Sequence, residues 1–312
     1  MNILKEKKID LYMPITLLGL VILGLIFGSV FDLSISKAIY TERNFVSYFA
    51  EYVGTIPAAF TFIISSIMLF LYFSKRKDIK FNSVYKYLSL FLTPLAGAFW
   101  GYDALKDYLP KTIYALAIGV AISIPLGYLL YLDLKRKYSD SFARDALVII
   151  LAYITSIILT FGLKSLIARP RFYYLLNENP DFSLFRNWFD FSTNKTIYPN
   201  VSKKTFIQSW PSGHSSFSAL LYLLLLTPFS KKNKRRHFTF VGVTIYALFI
   251  MLGRILDGHH YLSDVSSGFF IGSLSAFIYM IFIPKDLFIK NKNIKKEELT
   301  NKIDTPIKKE NN

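Results

Sequence analysis

Three short polar clusters carry the residues whose types and spacing could do chemistry. They are Lys164 with Arg169, Pro170 and Arg171; Pro211, Ser212, Gly213 and His214; and Arg254 with His260 and Asp264. Each lies at the edge of a long apolar run. Ionisable groups beside hydrocarbon-length segments are costly unless they pair with one another or with a ligand. His260 and Asp264 are four residues apart, so they share a helical face if a helix begins near His260. The carboxylate would then hold one imidazole nitrogen while the other meets a substrate, as for a nucleophile with its supporting acid. Arg254 adds a planar donor fork suited to phosphate oxygens. A headgroup-level polar patch is the alternative for this cluster.

In the second cluster, Pro211 and Ser212 suit the start of a helix. The free N–H groups there bind anions, and Gly213 lets the backbone approach a phosphate closely. His214 would sit beside a leaving oxygen as a general acid; the alternative is an ordinary cap with an interfacial histidine. The first cluster sets three cations at the end of an apolar run, where a bound anion would account for them. Snorkelling to lipid headgroups is the competing account. Several cations, one helix terminus and two histidines suit phosphoryl transfer, in which positioning and charge stabilisation do most of the work. That chemistry calls for no metal and no cofactor, since the cations supply the positive charge.

The elements that must position these groups are membrane spans. The chain has 312 residues, 53% of them hydrophobic, and a mean hydropathy of +0.35. Uncharged or nearly uncharged runs cover 11–31, 52–74, 87–102, 112–132, 146–163, 215–230, 238–253 and 265–284. About 20 apolar residues cross a bilayer, so the expected fold is all-α, a polytopic transmembrane bundle of about eight spans. Pro94 and the nearby Asp103 and Asp107 weaken the third run, for which a hairpin dipping partway is the alternative. The run at 11–31, behind Lys5, Lys7 and Lys8, is expected to be a retained first span rather than a cleaved signal.

Net charge is +16, with 37 Lys plus Arg against 21 Asp plus Glu. In this chain it reflects membrane topology rather than nucleic-acid binding. Under eight spans all the strongly basic segments fall on one side: the N-terminus, 75–86, 135–144, 231–236 and the lysine-rich tail. The short opposite loops are balanced, 32–51 with two basic and three acidic residues and 103–111 with two of each. Both termini are then cytoplasmic, and all three polar clusters face outward. The long outer loop 165–210 mixes Phe172, Tyr173, Tyr174, Phe182, Phe185, Trp188, Phe189 and Phe191 with polar residues. It reads as an interfacial aromatic lid, or else as rings that touch a lipid. Asn194 and Asn200 begin weak glycosylation sequons. With no cysteine, thiolate sites and cysteine nucleophiles are excluded.

Lys164 with Arg171, the run Pro211 to His214, and Arg254 with His260 and Asp264 resemble, in order and spacing, the three-part signature of the type-2 phosphatidic acid phosphatase family. These are integral-membrane lipid phosphate phosphatases related to the vanadium-dependent haloperoxidases. The resemblance implies a six-helix catalytic core in which His260 is a nucleophile that forms a phosphohistidine, Asp264 orients it and His214 protonates the leaving group. It implies that Lys164, Arg171, Ser212, Gly213 and Arg254 hold the phosphate, that catalysis needs no metal, and that the site opens outside the cell membrane. Phe172 stands where the family usually has proline, and Gly253 where it usually has serine. The expected organisation is N-terminal helices over 1–142, a catalytic region over 143–284 and a basic cytoplasmic tail over 285–312. The expected partners are membrane lipids and a lipid phosphate or pyrophosphate: undecaprenyl pyrophosphate, phosphatidate or phosphatidylglycerophosphate. A lipid phosphotransferase and a non-catalytic anionic-lipid transporter are the alternatives.

Overall fold

The computed structural model describes residues 2–42, 44–105, 108–178, 182–190, 204–230 and 232–288, with no side-chain detail for 2–10. The side chains of Lys5, Lys7 and Lys8, both sequons, Phe191 and the tail beyond 288 therefore lie outside the described residues. The chain forms α1 (Asn2–Ile39), α2 (Phe45–Val53), α3 (Ile56–Lys75), α4 (Asn82–Leu105), α5 (Thr112–Arg136) and α6 (Phe142–Leu166). After the outer loop come α7 (Gly213–Ala219), α8 (Asn233–Leu256) and α9 (Leu262–Phe282). No β-strand occurs among the described residues; Arg169 and Gln208 form an isolated parallel bridge.

The fold is the expected all-α membrane bundle. Among the described residues, six segments are long and apolar enough to cross a membrane: Leu11–Ile39, Phe45–Lys75, Thr112–Arg136, Phe142–Leu166, Asn233–Leu256 and Leu262–Phe282. The other two expected spans take different forms. Run 87–102 lies in α4, one continuous helix with Pro94 inside it, so the chain makes no hairpin there. Run 215–230 begins as α7 and tightens into a 3-10 helix over Leu220–Leu226. Each 3-10 residue rises about 2.0 Å against 1.5 Å in an α-helix, which lengthens this short segment.

Packing joins the two halves of the chain: α1 lies on α9, α2 on α8 and α3 on α6, while α7 contacts α9, α8 and α3. Small hydroxyl side chains fix α7 against α6, with Ser156 and Ser216 2.7 Å apart and Thr160 donating to Ser216 at 3.2 Å. Such interhelical hydrogen bonds are common glue where lipid offers no water.

The described basic segments, 75–86, 135–144 and 232–236, gather at one end of the bundle. Arg144, only 2% exposed, donates to the carbonyls of Met280 (2.8 Å) and Ile283 (2.7 Å) at the end of α9, besides pairing with Asp145. A cation there complements the partial negative charge of the helix terminus. The Lys75 ammonium lies over the Tyr138 ring, and that of Lys137 over Phe229. The three polar clusters lie at the far ends of α6 and α8 and at the starts of α7 and α9, the opposite end of the bundle.

Candidate active site

Backbone hydrogen bonds stitch the three clusters together. Ser209 N–H donates to Arg169 O (3.0 Å), Arg171 N–H to Phe206 O (2.8 Å), Ser212 N–H to Asp264 O (3.0 Å) and His260 N–H to Arg254 O (3.0 Å). Loops far apart in sequence thus share one small framework.

His260 is 2% exposed, and its Nδ1 lies 2.6 Å from the carbonyl oxygen of Ser209. A carbonyl only accepts, so Nδ1 carries the proton and Nε2 keeps its lone pair. The expected direct partner is displaced: Asp264 Oδ2 is 3.8 Å from Nδ1, beyond hydrogen-bond reach. The reason is where α9 begins. Its first residue is Leu262, so His260 precedes the helix and the four-residue spacing does not place the two side chains on one face. Asp264 is instead the third residue of α9, accepting from the Tyr261 N–H at 2.8 Å in a capping box. It also accepts from the Ser209 hydroxyl at 2.5 Å and pairs with Arg169. Asp264 therefore reaches His260 through Ser209.

His214 lies across the site, with Nε2 3.1 Å from the backbone oxygen of Glu51 at the end of α2. By the same logic Nε2 carries a proton and Nδ1 is the nitrogen left for chemistry. Ser212 caps α7, accepting from Ser215 N–H and Oγ, and its own N–H is committed to Asp264 O. Of the donors expected from Ser212, only the hydroxyl proton is left. A Cβ on Gly213 would meet only the Thr160 methyl, at 3.9 Å, so there is room beside it.

Lys164 Nζ donates to Gln208 O at 2.9 Å. Arg254, 3% exposed, has Nη1 2.9 Å from Asp257 Oδ2. The Nε atoms of Arg171 and Arg254 are buried and have no hydrogen-bond partner among the described residues. Buried donors of this kind are costly to leave unmade. Burial, reinforced by Lys164, Arg171, Arg254 and His259, holds the His260 pKa well below its usual 6.5. His260 is neutral at pH 7. His259 stacks on Tyr173 at 4.7 Å, with Nδ1 3.0 Å from Asp257. Burial and Arg254 depress its pKa to about 4.

The two departures from the family pattern have structural reasons. A Cβ on Gly253 would lie 2.4 Å from Ala50 Cβ and 2.7 Å from Val46 O, so α2 occupies the space a serine would need. Phe172 is buried among Tyr40, Phe182 and Tyr261. The loop rings turn inward more than an interfacial belt would. Trp188 donates to Ser29 Oγ of α1 and stacks on Trp210, which donates to Ser267 of α9, while Phe189 remains exposed.

Two residues of the site escaped sequence reasoning. Arg169, read with Lys164 and Arg171 as a cation for a bound anion, is instead 1% exposed and lies against Asp32, Asp264 and Ser263. Asp32 was counted as a loop charge, whereas α1 runs on to Ile39 and buries it. Its signal was a carboxylate directly behind an uncharged span-length run.

Residues 145–287 match the PAP2 superfamily. Over 147 residues, 45% of this chain, the sequence is 30% identical to "Phosphatidylglycerophosphatase B" of Bacillus subtilis (strain 168), covering 59% of that protein. Over 89 residues, 26% of the chain, it is 38% identical to "Putative phosphatidate phosphatase" of Drosophila melanogaster, covering 23% of that protein. The chain thus spans less than two thirds of the length of either relative. No solved structure matches it. All three polar clusters fall inside the segment that matches the PAP2 superfamily.

Proposed function

We propose that this protein is a membrane lipid phosphate phosphatase that works through His260. The observation that carries the reading is a neutral, buried His260 with Nδ1 committed to Ser209, acted on by Lys164, Arg171 and Arg254, while Nε2 of His260 and the Nε atoms of Arg171 and Arg254 have no partner among the described residues. Those donors match the equatorial oxygens of a phosphoryl group. In this reading Lys164, Arg171 and Arg254 take the phosphate, with the Ser212 hydroxyl and the backbone at Gly213 beside them, and the cations rather than a metal neutralise its charge.

The His260 Nε2 lone pair attacks phosphorus and the P–O bond to the lipid breaks. His214 Nδ1 takes the acidic proton of the bound monoanionic phosphate ester and passes it to the leaving oxygen, while the Glu51 carbonyl keeps hold of Nε2–H. Water then attacks the phosphohistidine, the P–N bond breaks and His214 takes the water's proton. Asp264 serves by holding Ser209, whose carbonyl fixes the His260 tautomer.

Phosphatidylglycerophosphate and phosphatidate are the substrates that the relatives' names support, and undecaprenyl pyrophosphate offers the same charged head. The clusters lie at the end opposite the basic segments, which supports a multi-pass protein of the cell membrane with both termini cytoplasmic and the site outside. Phosphate release from these three lipids in mixed micelles tests the reading, with His260→Ala and His214→Ala alongside. Full activity in both variants rejects the mechanism. Transfer of phosphate to an added alcohol instead of water would mark a phosphotransferase, and lipid movement in vesicles without phosphate release would mark a transporter.

A further inference from the structure

A charged residue on a transmembrane helix is expensive, and Asp32 sits on α1 at 1% exposure. It is fully engaged. Oδ1 accepts from the Ser263 N–H at 3.0 Å, and Oδ2 accepts from Arg169 Nη2 at 2.8 Å and from the Ser263 hydroxyl. Ser263 is the second residue of α9, so Asp32 supplies the N-terminal cap of that helix from another helix.

Arg169 is the hinge between this cap and the candidate nucleophile. Nη2 holds Asp32, Nη1 holds Asp264 and Ser263, and Nε donates to the Arg186 carbonyl at 2.8 Å. Its ring-facing side lies 4.4 Å from the Tyr261 centroid, and its carbonyl accepts the Ser209 N–H. Asp264 in turn takes the Ser209 hydroxyl, and the Ser209 carbonyl takes His260 Nδ1–H. Both carboxylates thus bear on the one peptide that orients the imidazole. The helices meet closely enough to permit this because α1 has Gly28 at the contact, where a Cβ would come within 2.8 Å of Ser263.

We infer that Asp32 of α1 is a positioning residue for His260, acting through Arg169, Asp264 and Ser209, and that α1 is a working part of a site whose family segment begins only at residue 145. The inference rests on the proposed phosphatase reading. With Asp32 neutral, Arg169 keeps a single carboxylate, the Ser209 peptide loosens and the His260 lone pair loses its aim. The phosphate cradle of Lys164, Arg171 and Arg254 is untouched.

The test uses the full chain in detergent micelles with phosphatidate as substrate and inorganic phosphate as a competing anion. For Asp32→Asn the expected result is a kcat lowered about 10- to 100-fold, the cost of a small misplacement of a reacting group, with KM and the inhibition constant for phosphate within about twofold of wild type. Asp32→Glu, which keeps the charge, is expected to recover part of kcat. Loss of phosphate affinity in step with kcat would show general collapse and overturn the inference. If Asp32→Asn does not fold, Ser263→Ala decides, since it removes the hydroxyl that donates to Asp32 and accepts from Arg169 and so weakens the same link: a several-fold fall in kcat at unchanged phosphate inhibition supports the inference, and unchanged kcat overturns it. His260→Ala is measured in the same series. If it keeps full activity, the phosphatase mechanism itself has failed; if it is inactive while Asp32→Asn matches wild type, only the role of Asp32 has failed.

Discussion

The two ends of the bundle are both rich in cations and use them in opposite ways. At the basic end, the Lys75, Lys86 and Lys137 ammoniums lie over aromatic rings, and Arg144 is satisfied by Asp145 and the last carbonyls of α9. At the site end, Arg169 is saturated by two carboxylates, while the buried Nε atoms of Arg171 and Arg254 have no hydrogen-bond partner among the described residues. The difference teaches that counting charges does not locate a ligand. Whether a buried cation's donors are already spent is the more telling difference, because a donor left unmade in the interior is costly.

The sharpest way to break this contrast is at the site end. His260→Ala is expected to lower phosphate release by about a thousandfold or more, since it removes the group to which phosphorus would be bonded; substantial residual turnover would refute the assignment. Next comes Arg254→Ala, expected to lower kcat/KM on the order of a hundredfold, the usual cost of one charge-stabilising donor. An unchanged inhibition constant for inorganic phosphate in that variant would show that Arg254 does not hold the anion.

At the other end the effect should fall on stability. Arg144→Ala strips the α9 terminus of its buried partner and is expected to cost about 3 kcal/mol, read as a lowered Tm in detergent, with KM of the folded fraction unchanged. Lys86→Ala should alter neither property by more than about twofold or 0.5 kcal/mol. A large loss of activity there would place a ligand at the wrong end.

The pH profile sharpens the contrast between histidines. Protonating His260 removes its lone pair, so activity falls as pH drops through its pKa, which burial and neighbouring cations set well below 6.5. The acid limb of kcat/KM should therefore lie well below pH 6.5 and should be unmoved by His237→Ala at the exposed basic end. A limb centred at 6.5 or above would contradict a buried nucleophile.

Much of this was legible in the residues. Apolar run length gave the helices, and the three clusters named His214, His260 and the cations that the fold brings together. Three features were not legible, each for a physical reason. The start of α9 could not be placed to within two residues, and that shift turns Asp264 from a direct partner of His260 into one that acts through Ser209. Asp32 looked like a loop charge because hydropathy ends a span at the first carboxylate, whereas the helix continues wherever another segment can satisfy that carboxylate. Gly253 looked like a lost hydroxyl, and only the packing of α2 shows what fills its place.

The contact at Gly253 bears on how the protein can be taken apart. The backbone of α8 there is walled by Val46 and Ala50, and His214 leans on the carbonyl of Glu51, the next residue of α2. A piece cut at residue 145 would keep every motif residue and lose the surface they rest on: a bare groove along α8, a His214 without its anchor, and an α9 terminus uncapped from outside. The motifs are portable as sequence, but the machine they belong to is not.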